Sequence, residues 1–355
     1  MPRFPITIGL TAVLPAALFA QQPERYTLSD DPVAIYNLVG AVRVEPVEGT
    51  GVLVQVTRAG GDAARLRIGQ GEIEGRSTLR VIYPGNRIRW RSGAGNSSTQ
   101  LPVREDGTFG DGGDDHDEES RDEGRRVRIS SGGGVDARAD LLVQVPRGRR
   151  VAVYLAVGSV AVTNVDGDLT VDAHDAPVTA TGVKGRLSVD VGSGTVRVTQ
   201  VEGELDVDTG SGTVDVSRYR GASLSIDTGS GDVTGTDLES EELSIETGSG
   251  EIRLTGVTAP RLSLETGSGG ISAELRRDVN ALHAETGSGD VAIRAPAALG
   301  ATVAIETSSG DIDTDFALQV TRRSRDHVVG TIGDGKGTIE IETGSGRITL
   351  LKSSN

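Results

Sequence analysis

A single acidic residue stands before a Thr-Gly-Ser-Gly type of turn, again and again, in the second half of the chain. Carboxylates are the oxygen ligands that hard cations such as Ca²⁺ prefer. The candidate cation ligands recur at steps of 18 to 21 residues: Asp190, Asp208, Asp227, Glu246, Glu265, Glu285 and Glu306. Two interpretations remain open. The row is either a solvated face that prevents lateral aggregation of sheets, or a loose strip for cations or a cationic partner.

The turn that follows each acid invites comparison with a phosphate-binding loop. Such a loop needs a following helix, whose N-terminus faces the anion, and usually a lysine. Here an alternating, strand-type sequence follows each turn, and no lysine is placed after it. Calcium-binding β-rolls use a motif with about half this period, and only some turns end in aspartate, such as Asp232, Asp290 and Asp311. We therefore predict a structural corner.

Catalytic side chains do not cluster in the sequence. The four histidines are scattered, and no nucleophile can be paired with any of them: His116, His174, His283 and His327. The chain has no cysteine, which excludes disulfides, thiolate catalysis and cysteine–zinc sites. We predict a protein that is not an enzyme, without catalytic residues and without a cofactor. A β-helix enzyme that acts on polysaccharides remains a minor alternative.

The elements that position the acids are short strands, because apolar and polar residues alternate on both sides of each turn. Two sets of aliphatic residues are predicted to point inward before and after the turn. They are Leu187, Leu205, Leu224, Leu243, Leu262 and Leu282, and then Val196, Val214, Val233, Ile252, Ile271, Val291 and Ile312. One copy alone buries little, whereas stacked copies bury a continuous core. We predict an all-β protein, a β-solenoid resembling a single-stranded parallel β-helix, with coils of about 18–21 residues.

Glycine and threonine define the predicted corners. Glycine adopts the positive φ that a sharp corner needs, and a second corner carries Gly203, Gly221 or Gly256. A threonine follows the acid in most copies, and its hydroxyl is expected to cap the turn. The alternative, an ice-binding threonine ladder, requires an uncharged face, whereas here the acids are adjacent.

Four regions follow from the pattern. Residues 1–20 read as a signal peptide, with Arg3 before an apolar run, and a retained anchor is the alternative. Residues 21–90 read as irregular N-terminal β-coils, with a separate β-sandwich as the alternative, and 91–126 as a disordered acidic, glycine-rich loop. Residues 127–355 read as regular coils, with an irregular stretch at 313–338. We expect an exported protein, in the periplasm, at the cell surface or outside the cell.

The chain resembles a bacterial family of β-strand-repeat proteins labelled as candidate adhesins or as a domain of unknown function. Three stretches carry the resemblance: YNLVGAVRVEPVEG with VLVQVTRAGGDAARLRI at 36–68, the TGSGD-type turns, and HVVGTIGDGKGTIEIETGSGRITL at 327–350. The resemblance implies a secreted or surface-attached β-helix and brings no catalytic residue. The acidic loop departs from the family pattern.

The net charge of the chain limits which partners it can bind. The formal net charge of −15 makes nucleic acid and anionic membranes poor partners, and no segment of the mature chain is predicted to span a membrane. The sequence favours an exported, non-enzymatic solenoid that acts as an interaction, adhesion or spacer surface toward a cell-envelope partner, either protein or glycan. The alternatives are a periplasmic envelope-sensing module that receives a ligand, and a cation-binding solenoid.

Overall fold

The structure is a computed structural model that describes residues 23–90, 98–110 and 124–353. The predicted signal peptide at 1–20 lies outside these residues. The described chain is built from 26 strands and one 3-10 turn, Ala63–Arg65. None of the described residues forms a helix that is long and apolar enough to cross a membrane.

The strands are numbered in chain order. The N-terminal strands are β1 (Glu24–Leu28), β2 (Val33–Pro46), β3 (Val52–Ala59), β4 (Arg67–Ile73), β5 (Arg76–Ile82), β6 (Arg87–Arg89), β7 (Ser98–Val103), β8 (Arg125–Ser130) and β9 (Arg138–Val145). The central strands are β10 (Arg149–Thr163), β11 (Gly167–Asp175), β12 (Val178–Ser193), β13 (Val196–Ser211), β14 (Val214–Thr228), β15 (Val233–Thr247), β16 (Ile252–Thr258), β17 (Arg261–Thr266) and β18 (Ile271–Leu275). The C-terminal strands are β19 (Ala281–Thr286), β20 (Val291–Ala295), β21 (Ala301–Thr307), β22 (Ile312–Thr314), β23 (Leu318–Arg323), β24 (His327–Ile332), β25 (Gly337–Thr343) and β26 (Ile348–Lys352).

The predicted solenoid is confirmed, because equivalent strands of successive coils pair in parallel and in register. Leu187 pairs with Leu205, Leu205 with Leu224, and Leu224 with Leu243. These side chains are buried, as are the aliphatic residues that follow the turn from Val196 to Val291. Twelve layers stack within the described residues. At about 4.8 Å per layer, the stack is roughly 55 Å long.

The glycines of the first corner have a different role from the predicted one. In this column Gly194 has a positive φ of 145°, whereas Gly231 and Gly250 are not among the glycines with positive φ. A Cβ on Gly250 would lie 1.8 Å from the carbonyl oxygen of Gly231, and a Cβ on Gly231 would lie 1.9 Å from that of Gly212. At Gly231 and Gly250 glycine is therefore required because the corners of successive coils stack backbone on backbone, and not because of torsion.

The second corner is turned by one residue with positive φ in each of six successive coils. These residues are Asn164, Gly182, Gln200, Arg218, Asp237 and Gly256. Of the three glycines predicted at a second corner, Gly256 occupies this position. Gly203 and Gly221 are equivalent positions three residues after Gln200 and Arg218, where the chain bends back toward the next coil.

Both ends of the stack depart from chain order. At the N-terminal end, β2 lies between β10 on one side and β5 with β9 on the other, all in parallel. At the C-terminal end, β25 and β26 lie between the coil of β19 and β20 and the coil of β21 and β22. A late segment of the chain thus forms an internal layer.

Antiparallel strands cover both ends. Strands β3 and β4 pair with β9 and β5, and β1 pairs with β3. The stretch predicted as irregular at 313–338 contains the hairpin of β23 and β24, which covers β21. Exposed edge strands promote aggregation, so these covers limit end-to-end growth of the rod.

The described part of 91–126 differs from the predicted loop. The prediction is wrong for β7, which pairs with β8 in a small sheet that also contains β6. Leu101, Val103 and Phe109 are buried, and the Phe109 ring packs edge-on against Tyr36 with centroids 5.8 Å apart. These few apolar residues suffice to anchor the segment. Strand β8 belongs to this small sheet and not to the stacked coils.

Candidate functional site

The predicted acids lie on the strand before the first corner, in a position that alternation directs outward. Ile245 is buried while Glu246 is exposed. Register between the coils then places all seven predicted acids in one line. The carboxylate row, in spatial order, is Asp172, Asp190, Asp208, Asp227, Glu246, Glu265, Glu285, Glu342 and Glu306.

Two members of the carboxylate row were absent from the prediction. Asp172 precedes Ala173-His174 and lacks the glycine–serine turn, but it falls one 18-residue step before Asp190. Glu342 has the full turn and follows Glu306 after two periods, yet it lies between Glu285 and Glu306 in space. The step length could have identified Asp172, whereas nothing in the repeat signals the insertion of Glu342.

Like charges one layer apart repel each other in this row. At about 5 Å in water the repulsion is roughly 1 kcal/mol per pair, and it grows near a low-dielectric wall. The pKa of Asp208 is raised by burial first, and then by the neighbouring carboxylates of Asp227 and Asp206. A bound cation would relieve this repulsion.

Several other columns contain charged side chains that pair with the opposite charge in the next layer, which sets the carboxylate row apart. Lys184 pairs with Glu202 at 2.9 Å, and Arg220 pairs with Glu239 at 2.9 Å, each across one layer. Arg186 pairs with Glu204 in the same way. Seven acids from Asp208 to Glu306 instead stack on acids, so the row carries an excess of negative charge.

The row ends against aromatic and basic groups. In the same column, Tyr154 follows Asp172 and stacks on Tyr36, with ring centroids 4.4 Å apart. Arg76 donates a hydrogen bond to the Tyr154 hydroxyl at 3.0 Å. At the other end, the imidazole Nδ1 of His327 lies 3.2 Å from a carboxylate oxygen of Glu306. The stacked acids are thus bounded at both ends.

The histidines do not assemble a catalytic group in the described chain. His283 lies beside the row, 3.4 Å from a Glu285 oxygen, and 3.8 Å from a Glu340 oxygen. His174 is exposed on another coil, and His116 lies outside the described residues. Two of the histidines contact the carboxylate row: His283 lies beside Glu285, and His327 lies beside Glu306.

Three threonines beneath the row cap the corner as predicted, whereas the buried hydroxyls of Thr209 and Thr228 have no hydrogen-bond partner among the described residues. The Thr247 hydroxyl accepts a hydrogen bond from the Gly250 N–H at 3.0 Å and donates one to the Gly231 carbonyl at 3.2 Å. One hydroxyl therefore closes its own corner and binds the preceding coil. The same pair of hydrogen bonds recurs at Thr266 and Thr286.

The row is a line of ligands and not a cage. Among the described residues, no three histidine, aspartate or glutamate side chains converge as they would around a bound metal ion. Calcium sites need about six to eight oxygens around one point. Here the carboxylates follow one another in a line along the rod and do not surround a single point. This geometry can attract cations along its length.

These features define a β-solenoid protein with a row of stacked carboxylates. The family model described as Toastrack DUF4097 matches residues 136–351. Since this is more than half of the chain, the protein belongs to that family, a domain of unknown function. A crystal structure of a candidate cell adhesion protein from Clostridium sporogenes is 11% identical, covering 94% of this chain and 100% of that chain, with a TM-score of 0.22. So low a score carries no structural argument. A comparison with curated proteins finds no match.

Proposed function

We propose that the protein is an exported, non-enzymatic rod that acts in adhesion or as a spacer, with the carboxylate row as its contact surface. The observation that carries the proposal is that acids stack on acids from Asp208 to Glu306, whereas charged residues in other columns of the rod pair with opposite charges. Its partner carries cationic groups, or carries anionic groups that divalent cations bridge to the row. The pattern of residues 1–20 supports export.

Rigidity makes the row suitable for this role. Each carboxylate is fixed by a strand that pairs on both sides, so neighbouring acids keep a spacing of about 4.8 Å along the rod. A partner with repeated charges can therefore bind at several positions at once, and multivalency strengthens weak individual contacts. The antiparallel covers at both ends favour display of the side of the rod.

Retention on a cell-envelope fraction tests the proposal. The mature chain from Gln21 is coupled to beads and incubated with envelope fractions in calcium or in sodium of matched ionic strength. We expect greater retention in calcium, because a divalent ion can bridge carboxylates. A triple variant, Asp227→Asn with Glu246→Gln and Glu265→Gln, should lose at least about tenfold of this calcium-dependent retention.

A matched control removes the same charge elsewhere. Glu48, Glu241 and Asp278 are exposed and form no ion pair among the described residues. Their joint replacement by Gln, Gln and Asn should leave retention unchanged. Equal retention by the two triple variants would refute the role of the carboxylate row.

A further inference from the structure

The second corner carries side chains that its backbone does not require. Four of the six positive-φ residues have side chains: Asn164 (φ 54°), Gln200 (60°), Arg218 (54°) and Asp237 (56°). A left-handed conformation costs roughly 1–2 kcal/mol at a residue with a Cβ. Gly182 and Gly256 turn the equivalent corner at 71° and 74°, so glycine closes it as well. Local strain that folding does not require points to function.

These side chains line a continuous polar groove. One part is lined by residues including Asn164, Lys184 and Gln200, and the next by residues including Gln200, Arg218 and Asp237. Gln200 and Glu202 belong to both parts. Gln200 is exposed, and so is Arg218. Neither side chain forms a hydrogen bond or ion pair with another described residue, so an amide and a guanidinium face solvent.

A hydroxyl ladder runs along the strands that enter the second corner. The residue before each positive-φ position is a threonine or serine, and register stacks them one per coil: Thr163, Thr181, Thr199, Ser217, Thr236 and Thr255. All six are exposed or half-buried. The hydroxyls of Thr199 and Ser217 lie 3.1 Å apart. The second corner and the strands that enter it therefore offer donors or acceptors in each of six coils.

The charges that flank the groove cancel. One column of lining residues alternates in sign along the groove: Asp166, Lys184, Glu202, Arg220 and Glu239. Arg147 pairs with Asp166 at 2.9 Å, and Arg276 pairs with Asp237. On a protein with a net charge of −15, this is a nearly neutral strip. It attracts neither a polyanion nor a polycation strongly.

We propose that this groove binds a neutral polysaccharide strand that lies along the rod axis. Amide, guanidinium and hydroxyl groups hydrogen-bond to sugar hydroxyls without requiring a charged ligand. A peptide fits less well, because protein interfaces bury aromatic or apolar anchors, and these strands have no free edge for β-augmentation. Each coil contributes weakly, and six coils act together. The inference goes beyond the carboxylate row and does not depend on it.

Affinity electrophoresis tests the proposal on the mature chain. Native gels contain laminarin, dextran, yeast mannan, hydroxyethylcellulose or alginate, and mobility is compared with a gel without polysaccharide. We expect retardation in at least one neutral gel. The double variant Gln200→Gly with Arg218→Gly should bind that polysaccharide at least about tenfold more weakly. Its melting temperature should be equal or higher, because glycine suits a positive φ.

Glu48→Gln, at an exposed position outside both the groove and the carboxylate row, is the control and should be retarded like the parent. Three results would overturn the proposal: no retardation in any neutral gel, retardation in alginate alone, or parental retardation of the double variant. A lower melting temperature of that variant would also overturn it, by showing that Gln200 and Arg218 stabilise the corner. The bead assay reports on the carboxylate row independently, so either proposal can fail alone.

Discussion

At the scale of single residues, the Thr-Gly-Ser-Gly turn is determined by the distance between coils. The glycines permit carbonyl oxygens of one coil to lie against the glycine Cα of the next. The threonine hydroxyl then bridges the two coils, as Thr247 does between Gly250 and Gly231. The repeated sequence is therefore a packing requirement that each coil imposes on its neighbour, and the acid before it is free to vary between aspartate and glutamate.

Replacing one corner glycine tests this explanation. Gly250→Ala would place a Cβ 1.8 Å from the Gly231 carbonyl oxygen, and the coils would have to separate. Overpacking in a close-packed interior costs about 1–3 kcal/mol, so the free energy of unfolding in urea should fall by at least about 1 kcal/mol. Gly133→Ala is the control, since a Cβ there meets nothing within 4 Å. Equal stability of the two variants would contradict the stacking argument.

At the scale of elements, the carboxylate row makes stability depend on pH through Asp208. Its pKa is raised in the fold by burial and by neighbouring carboxylates. The folded protein therefore holds this proton more tightly than the unfolded chain does. The stabilisation of the fold that comes from this tighter proton binding is fully present at pH values below the unfolded pKa of about 3.9. It is lost as the pH rises through the pKa of Asp208 in the folded protein.

Asp208→Asn removes that penalty. We expect the variant to melt at a higher temperature than the parent at pH 7, because Asp208 is then charged among like charges. At pH 3 the difference should shrink, since the parent carboxyl is largely protonated. Glu241→Gln, at an exposed position away from the row, should melt like the parent at both values. A difference between Asp208→Asn and the parent that is the same at both values would contradict the linkage.

The sequence predicts regular elements better than exceptions to them. The 18- to 21-residue step and the alternation predicted parallel stacking from Leu187 to Leu282, because each copy repeats the same inward columns. The row of acids followed from the same register. Gln200 and Arg218 have no local signal for a positive φ, since the corner is imposed by the stacked neighbours. Strand β7 was missed because Leu101 and Val103 are few, and their burial depends on the small sheet.

At the scale of the whole molecule, chain order and spatial order differ at both ends. Strand β2 and the coil of β25 and β26 are internal layers, whereas strands nearer the middle of the chain cover the ends. The last coil inserts between two coils formed by earlier residues, and its Ile339, Ile341 and Ile348 side chains are fully buried. The core at this end is therefore complete only when residues 337–352 are in place.

Engineered disulfides test the order of the last coils, and the absence of native cysteine makes the test clean. His283 and Glu340 are register partners in adjacent layers, and so are Glu340 and Ala304. His283 and Ala304 are thus two layers, or about 9.6 Å, apart. A disulfide requires Cα atoms within about 7 Å. His283→Cys with Glu340→Cys should oxidise within the folded monomer, whereas His283→Cys with Ala304→Cys should keep its thiols.

Thiol titration and non-reducing gel mobility distinguish the two variants. The disulfide between positions 283 and 340 closes a long loop and so lowers the conformational entropy of the unfolded chain. The free energy of unfolding should therefore rise by up to about 4 kcal/mol. Its melting temperature should therefore exceed that of the same variant after reduction. If the coils stacked in chain order instead, positions 283 and 304 would be adjacent. The second variant would then oxidise and the first would not, and residues 337–352 would form the end of the rod.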